Sequence, residues 1–253
     1  MRFFSYLIRG DTLVLDRWHW IRQRLPETRN GERLLDVGCG TGAFTIGAAR
    51  RGYHSLGLSW DERNQSVAQR RAEACGQDRA VFEVLDVRRL GEKKDLRGAF
   101  DIALCCECAE HILDDRKLIC DVADSLAPGG RLLFTSPNYH YLAMSRGDLG
   151  PFCREETGWH VRRGYSPEML KELCEQAGLR CEEISYCSGW ISQKVSALLR
   201  ALSELHSRFA WLVTLPLRPL ALLDRFLAQP GYLGSYSICM VAVKPRFSER
   251  SGS

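Results

Sequence analysis

The nine residues from Leu34 to Gly42, reading LLDVGCGTG, constrain this chain more than any other stretch. Leu34, Leu35 and Val37 make the short unbroken apolar run of a strand buried on both faces of a parallel sheet. Gly38, Gly40 and Gly42 then fall at alternate positions, where positive φ and a bare backbone let the chain turn tightly against a ligand before Ala43 to Arg51 begins a helix. Two kinds of ligand compete for such a turn. Gly38, Gly40 and Ala43 satisfy the G-x-G-x-x-G/A dinucleotide pattern and so admit a nicotinamide enzyme. Asp36 argues the other way, because a carboxylate two residues before the first glycine is awkward beside a pyrophosphate and suits an ammonium group.

Strand and helix signals alternate along the rest of the chain. Leu13, Val14, Trp18, Ile21 and Leu25 recur at helical spacing within Asp11 to Leu25, a leading helix that stops before Pro26 and is expected to cover the ligand cleft. Tyr53 to Leu58 reads as a second strand, Arg63 to Cys75 as a helix stopped by Gly76, and Val81 to Leu85 as a third strand ending at Asp86. A fourth strand follows at Phe100 to Cys106, then a helix from Asp115 to Leu126, an Ala127-Pro128-Gly129-Gly130 turn and a fifth strand from Arg131 to Ser136. Ser166 and Pro167 supply the N-cap and first turn of a helix running to Ala177, with Gly178 as its stop, and Arg180 to Tyr186 and Tyr236 to Val243 are the last strands. This order predicts an α/β fold, a doubly wound sheet whose ligand lies beyond the carboxyl ends of the strands.

At 253 residues the chain is expected to form a single domain, 1–253, with a helical cap insertion at 189–234 before the last strand. Within it Ile191, Val195, Leu198, Leu199, Leu202, Leu205, Phe209 and Leu212 follow a period of 3.6 and predict one amphipathic helix. Trp211 to Leu227 is strongly apolar but broken by Pro216, Arg218, Pro219, Asp224 and Arg225, so it is no bilayer span. Its composition suits closing over an apolar acceptor or lying on a membrane surface.

The 35 basic and 31 acidic residues leave a net charge of +4, too small a bias for a nucleic-acid partner. Eleven cysteines, an odd number, sit mostly in apolar patterns such as Cys39, Cys105, Cys120, Cys174 and Cys239, which suits buried thiols in a reducing, cytoplasmic compartment. The run Phe3 to Ile8 is too short for a signal-peptide core. Cys105 and Cys108 form one C-x-x-C with no second pair at zinc-ligand spacing, so core packing is expected and no metal.

The first motif resembles that of the class I S-adenosylmethionine (SAM) dependent methyltransferases, in particular their small-molecule, type 11-like group, and three further segments match the same family. Asp86 and Val87 look like the acid that accepts from the adenine amino group and the neighbour whose backbone reads the ring. Glu107, Glu110, His111 and Asp114 in CCECAEHILDD resemble the E-H-I-x-D segment after the fourth strand, and APGGRLLFTSPN resembles the turn and fifth strand. One departure stands out. Family members usually close the second strand with an acid that chelates the ribose, whereas this chain has Ser59, followed by Trp60 and Asp61. Asp61 faces the same way as Ser59 if the strand continues. The pattern is similar to the cyclopropane-synthase-like and tocopherol-methyltransferase-like branches.

The resemblance implies a Rossmann-like sheet of seven strands and SAM as cofactor, held by Asp36, Gly38, Gly40, Gly42, Ser59, Trp60, Asp61, Asp86, Val87 and Glu107. The activity it implies is methyl transfer to a small-molecule or lipid-linked acceptor, foremost at a hydroxyl oxygen, in the cytoplasm or at the inner membrane face. A cyclopropane-synthase-like C-methyltransferase and a non-catalytic SAM-binding regulatory protein are the rivals. A hydroxyl acceptor needs a base, and histidine has the suitable pKa. His111, beyond the fourth strand, and His140, in PNYHY after the fifth, are the candidates. His160, on a long loop, is a candidate for positioning the acceptor, and Tyr139, Tyr141 and Trp159 for aromatic walls.

Overall fold

The computed structural model describes residues 11–143, 146–224 and 234–246. One sheet carries seven strands: β1 Arg33–Val37, β2 His54–Ser59, β3 Ala80–Val84, β4 Phe100–Cys106, β5 Leu126–Pro137, β6 Arg180–Cys187 and β7 Ser237–Val243. Their order is β3-β2-β1-β4-β5-β7-β6, with β7 antiparallel to both neighbours and the other pairs parallel. The helices are α1 Thr12–Arg24, α2 Ala43–Ala49, α3 Glu62–Cys75, α4 Asp115–Ser125, α5 Pro167–Gln176, α6 Trp190–Leu205 and α7 Ser207–Thr214. The doubly wound α/β fold expected from the alternation of elements is thus observed, and among the described residues no helix is long and apolar enough to cross a membrane.

The centre of the fold is β1, which pairs with β2 on one edge and β4 on the other. The strand's period of two sends Leu34 into a layer with Trp20 and Ile21 from α1 and Leu25 just after it, and Leu35 and Val37 into the opposite layer with Ile119 and Val122 from α4. All three β1 side chains are fully buried, each worth about 1.5–3 kcal/mol relative to exposure. Since β1 is locked on both edges and both faces, the turn that leaves it is held firmly at the switch point of the sheet.

Two sequence expectations are corrected. Ala127–Gly130 is not a turn preceding the fifth strand, because β5 already begins at Leu126, opposite Phe100, and shifts register between Phe100 and Ile102. The segment is drawn into the sheet by the chain leaving β7: Gly129 N donates to the Lys244 carbonyl (2.8 Å), and Lys244 N donates to the Gly130 carbonyl (2.9 Å). The amphipathic helix expected to run through Leu212 is likewise two helices. His206 is extended (φ −162°) and its ring Nδ1 accepts from Phe209 N at 3.2 Å, capping α7.

α6 is anchored at its start, where Asp224 accepts from Ile191 N (3.0 Å) and Ser192 N (2.8 Å) and Thr12 Oγ1 of α1 donates to the Ser192 carbonyl (2.7 Å). α7 and the 3-10 turns of Leu215–Leu223 pack chiefly on α6 and on each other. The end of the expected apolar segment, 225–227, lies outside the described residues.

Residues 150–165 form a strap between β5 and α5 across the carboxyl edge of the sheet, closed where Tyr165 N donates to the Pro137 carbonyl (3.0 Å) and Tyr139 N to the Tyr165 carbonyl (2.9 Å). Gly164 enters this closure at φ +129°, and a Cβ there would lie 2.0 Å from the Pro137 oxygen. Gly164→Ala is therefore expected to cost about 2–4 kcal/mol through backbone strain and overlap. Urea unfolding of the variant checks this, and a loss below about 0.5 kcal/mol would contradict the closure.

Candidate active site

The glycine turn has three left-handed residues, Gly38 (φ +77°), Gly40 (φ +51°) and Gly42 (φ +76°), with three different surroundings. A Cβ at Gly38 would lie 2.7 Å from Cys108 Sγ, and one at Gly42 2.7 Å from the Phe82 ring, whereas one at Gly40 would meet nothing within 4 Å. Gly38 and Gly42 thus seat the turn against the protein, and Gly40 lines open space where a ligand can approach backbone. The same contact explains the C-x-x-C: Cys105 is fully buried and Cys108 packs on the turn.

Asp36 does not point into that space. It is 1 % exposed and accepts from Thr45 Oγ1 at 2.6 Å, so its carboxylate is spent on the start of α2; burial raises its pKa to about 6, against the Thr45 hydrogen bonds. In this structure the side chain fixes the turn from the α2 side.

β2 ends at Ser59, which is buried, and Asp61 is the N-cap of α3, accepting from Arg63 N (2.8 Å) and Asn64 N (3.4 Å). Asp61 therefore does not continue the strand, and its Oδ1 is committed to two orphan helix donors. Trp60 is 66 % exposed beside it. Beyond β3, Asp86 caps the 3-10 turn Val87–Glu92 through Arg88 N (3.0 Å), and the Arg88 guanidinium holds its carboxyl below the usual carboxylate range. Val87 packs into the core.

The turn after β4 gathers the charged groups. Glu107 has φ +51°, an uncommon conformation for a residue with a side chain, and its N–H donates to the Thr135 carbonyl (2.8 Å). Its carboxylate accepts from Thr135 Oγ1 at 3.3 Å and lies 3.6 Å from Arg17 Nη2 of α1, while burial raises its pKa. Arg17 is 8 % exposed, and its Nε has no hydrogen-bond partner among the described residues. Sequence reasoning missed Arg17. The available signal was an arginine at the i+4 position of the Leu13–Ile21 apolar stripe, where a helix facing a core carries no charge without reason.

Glu110 is fully buried; one oxygen accepts from Ser136 Oγ (3.0 Å), and the other, Oε1, has no partner among the described residues. Its pKa is raised by burial and by Glu107. Buried His111 Nδ1 is also without a partner, and the His160 ring stands edge-on to His111 at 4.6 Å. Ligating atoms of Glu110, His111 and His160 lie within 4.8 Å of one another, a set that could share a proton, a polar ligand or a cation. Burial and the neighbouring His111 push His160 down to about 4, so it is neutral near pH 7. Asp114 caps α4 through Lys117 N (2.9 Å).

The strap carries His160 and is stitched to this turn. Val161 N donates to the Glu110 carbonyl (2.9 Å), Leu113 N to Glu156 Oε1 (2.6 Å), and Arg162 Nη2 to the Ile112 (2.7 Å) and Leu113 (2.9 Å) carbonyls. Arg162 also pairs with Asp115, which accepts from Tyr165 OH (2.7 Å). His140 is not brought to His111: it is exposed and lies edge-on to Tyr139 at 5.2 Å. Tyr141 is buried with Leu13 and Tyr236, whereas Tyr139 is exposed and Trp159 is 75 % exposed.

Comparison with known proteins agrees with this geometry. A methyltransferase-domain family model matches residues 14–184. The ubiquinone biosynthesis O-methyltransferase of Leptothrix cholodnii is 31% identical over 122 residues, 48% of this chain and 51% of that protein. That of Coxiella burnetii is 31% identical over 173 residues, 67% of this chain and 71% of that protein. The chain thus spans between half and about seven tenths of the length of these two relatives. A SAM-dependent methyltransferase structure from Mesorhizobium loti superposes with a TM-score of 0.60 at 20% identity, covering 93% of this chain and 99% of the other, which shows the shared fold. With a matching family model over most of its length and the glycine turn, β4 turn and sheet order in place, the chain belongs to the class I SAM-dependent methyltransferases.

Proposed function

We propose that this protein transfers the methyl group of SAM to a hydroxyl oxygen of a small-molecule acceptor, with buried Glu110 grouped with half-buried His111 and His160 as the observation that carries the reading. The bare backbone at Gly40 and the incompletely paired guanidinium of Arg17 fit the amino-acid end of the cofactor, with Arg17 receiving its carboxylate and Glu107 its ammonium group. Ser59 would take a ribose hydroxyl, and Asp86 the adenine amino group beside the Val87 backbone. When bound, SAM supplies a methyl group already activated by its sulfonium.

The residues of the chain then hold the acceptor, take its proton and keep water out. His111 Nδ1 accepts the acceptor's hydroxyl proton, and the unpartnered Glu110 Oε1 favours the imidazolium that forms. His160 stays neutral and offers a ring edge rather than a second charge. α1 and the strap cover the site, which suits a transition state that spreads charge.

The insertion supports a finer reading, in which the acceptor is lipid-linked and the protein rests on an anionic membrane surface. Leu198, Leu205, Phe209, Leu212, Leu215, Leu220, Leu222 and Leu223 are exposed along one stretch, accompanied by exposed Lys194, Arg200 and Arg208 against one exposed acid, Glu204.

Three outcomes are expected. Arg17→Gln should weaken SAM binding about ten- to a hundredfold in calorimetric titration, as for a lost charged hydrogen bond; unchanged affinity would remove Arg17 from the cofactor. His111→Gln should slow transfer from isotopically methyl-labelled SAM into a small-molecule extract by about a hundredfold or more, read by mass spectrometry, with SAM affinity within about twofold. A labelled product formed by that variant at the wild-type rate would overturn the base assignment, and labelling of carbon rather than oxygen would overturn the acceptor atom. Wild-type protein should co-sediment with phosphatidylglycerol vesicles, and the combined Leu205→Asp, Phe209→Asp and Leu212→Asp variant should bind at least about fivefold less; equal binding would rule out this face.

A further inference from the structure

We propose that Glu156 is a positioning residue: through Arg88 it couples Asp86, at the end of β3, to the strap that carries His160 over His111. The inference rests on the assignment of Asp86 to the adenine amino group. Two separate parts of the chain, the end of β3 and the strap, meet at the Arg88 guanidinium. Nε donates to Asp86 Oδ1 and Oδ2, both at 2.9 Å, Nη2 pairs with Asp86 Oδ2, and Nη1 pairs with Glu156. The second Glu156 oxygen accepts from Leu113 N at 2.6 Å, in the turn two residues beyond His111. One mostly covered carboxylate thus spans the strap, the β3 end and the turn after β4. The backbone of Arg88 is held as well, its carbonyl accepting from Lys117 Nζ of α4 at 2.8 Å.

Val161 N to the Glu110 carbonyl and Arg162 to the Ile112 and Leu113 carbonyls and Asp115 tie the strap to the segment 110–115. The pairing of Glu156 with Arg88 extends that seam to the adenine end of the cleft. Arg88 divides its donors between two carboxylates, and a ligand donor on Asp86 draws on the oxygens that Arg88 now holds. Weakening that hold leaves Glu156 as the stronger partner, so a ligand at the adenine end tightens the strap. By linkage the strap then favours the ligand by the same factor. Arg88 is about half exposed, so the coupling is modest, about two- to fivefold.

Hydrogen–deuterium exchange of strap peptides from 150–164 in the full-length protein tests this, with S-adenosylhomocysteine and with 5′-methylthioadenosine, which keeps the adenine but lacks the amino acid. The comparison is wild type against Glu156→Gln, whose amide oxygen can still accept from Leu113 N while the charge toward Arg88 is gone. In wild type both ligands are expected to slow strap exchange about two- to fivefold. In Glu156→Gln the unliganded strap should exchange as in wild type, and the response to saturating ligand should vanish. A full ligand response in Glu156→Gln, or unliganded strap exchange already raised to the level of an open loop, would show Glu156 to be a structural tie only and overturn the proposal. Failure of both ligands to bind wild type would overturn the cofactor reading and this inference with it, an outcome distinct from binding without a strap response.

Discussion

A strand paired on both edges and packed on both faces has no register to slip into, and β1 is held in this way between β2 and β4. Everything functional hangs from its carboxyl end. Because Leu35 and Val37 face one apolar layer and Leu34 the other, the parity of the strand also decides that Asp36 turns toward α2, where it binds Thr45 and braces the turn. The glycines then need only satisfy local geometry, two of them filling against Cys108 and Phe82 and the third leaving room.

Buried charge is costly, and the cleft concentrates it: Arg17, Glu107 and Glu110 all lie in a region nearly closed to solvent. Removing a carboxylate from water costs several kcal/mol unless hydrogen bonds and an opposite charge offset it. Thr135, Ser136 and Arg17 offset part of that cost, and the unpartnered atoms Glu110 Oε1, Arg17 Nε and His111 Nδ1 mark the remainder. A core built only for stability would hold apolar residues at these positions, so the residual cost points to a site whose partners arrive with a ligand.

Local patterns were the legible part of the sequence. The apolar run and glycines of Leu34 to Gly42, the alternation of strands with helices, and the Ser166-Pro167 helix start all carry their physics within a few residues, and the structure matches them. Misreadings arose where two local signals competed or where a partner lies far along the chain. Asp61 fits both a continuing strand and a helix N-cap, and the cap prevailed because two backbone donors need it. His206 interrupts an apolar period that looks continuous on paper. Arg17 meets Glu107, and His160 meets His111, only through tertiary folding, so no spacing rule announces either pair. His140 shows the converse, a residue placed near the cleft by topology whose ring is turned to the surface.

The insertion between β6 and β7 is built as a cantilever, fastened to α1 through Thr12 at its root, closed on itself there by Asp224, and supported beyond it chiefly by its own helices. Changes at its far end share few partners with the glycine turn or the charged cleft, and energetic effects at such separated sites add with little cross-talk. The outer helices are therefore free to drift in sequence at little cost to the sheet. In this architecture the surface that meets the surroundings can diversify while the chemistry beneath it stays constant.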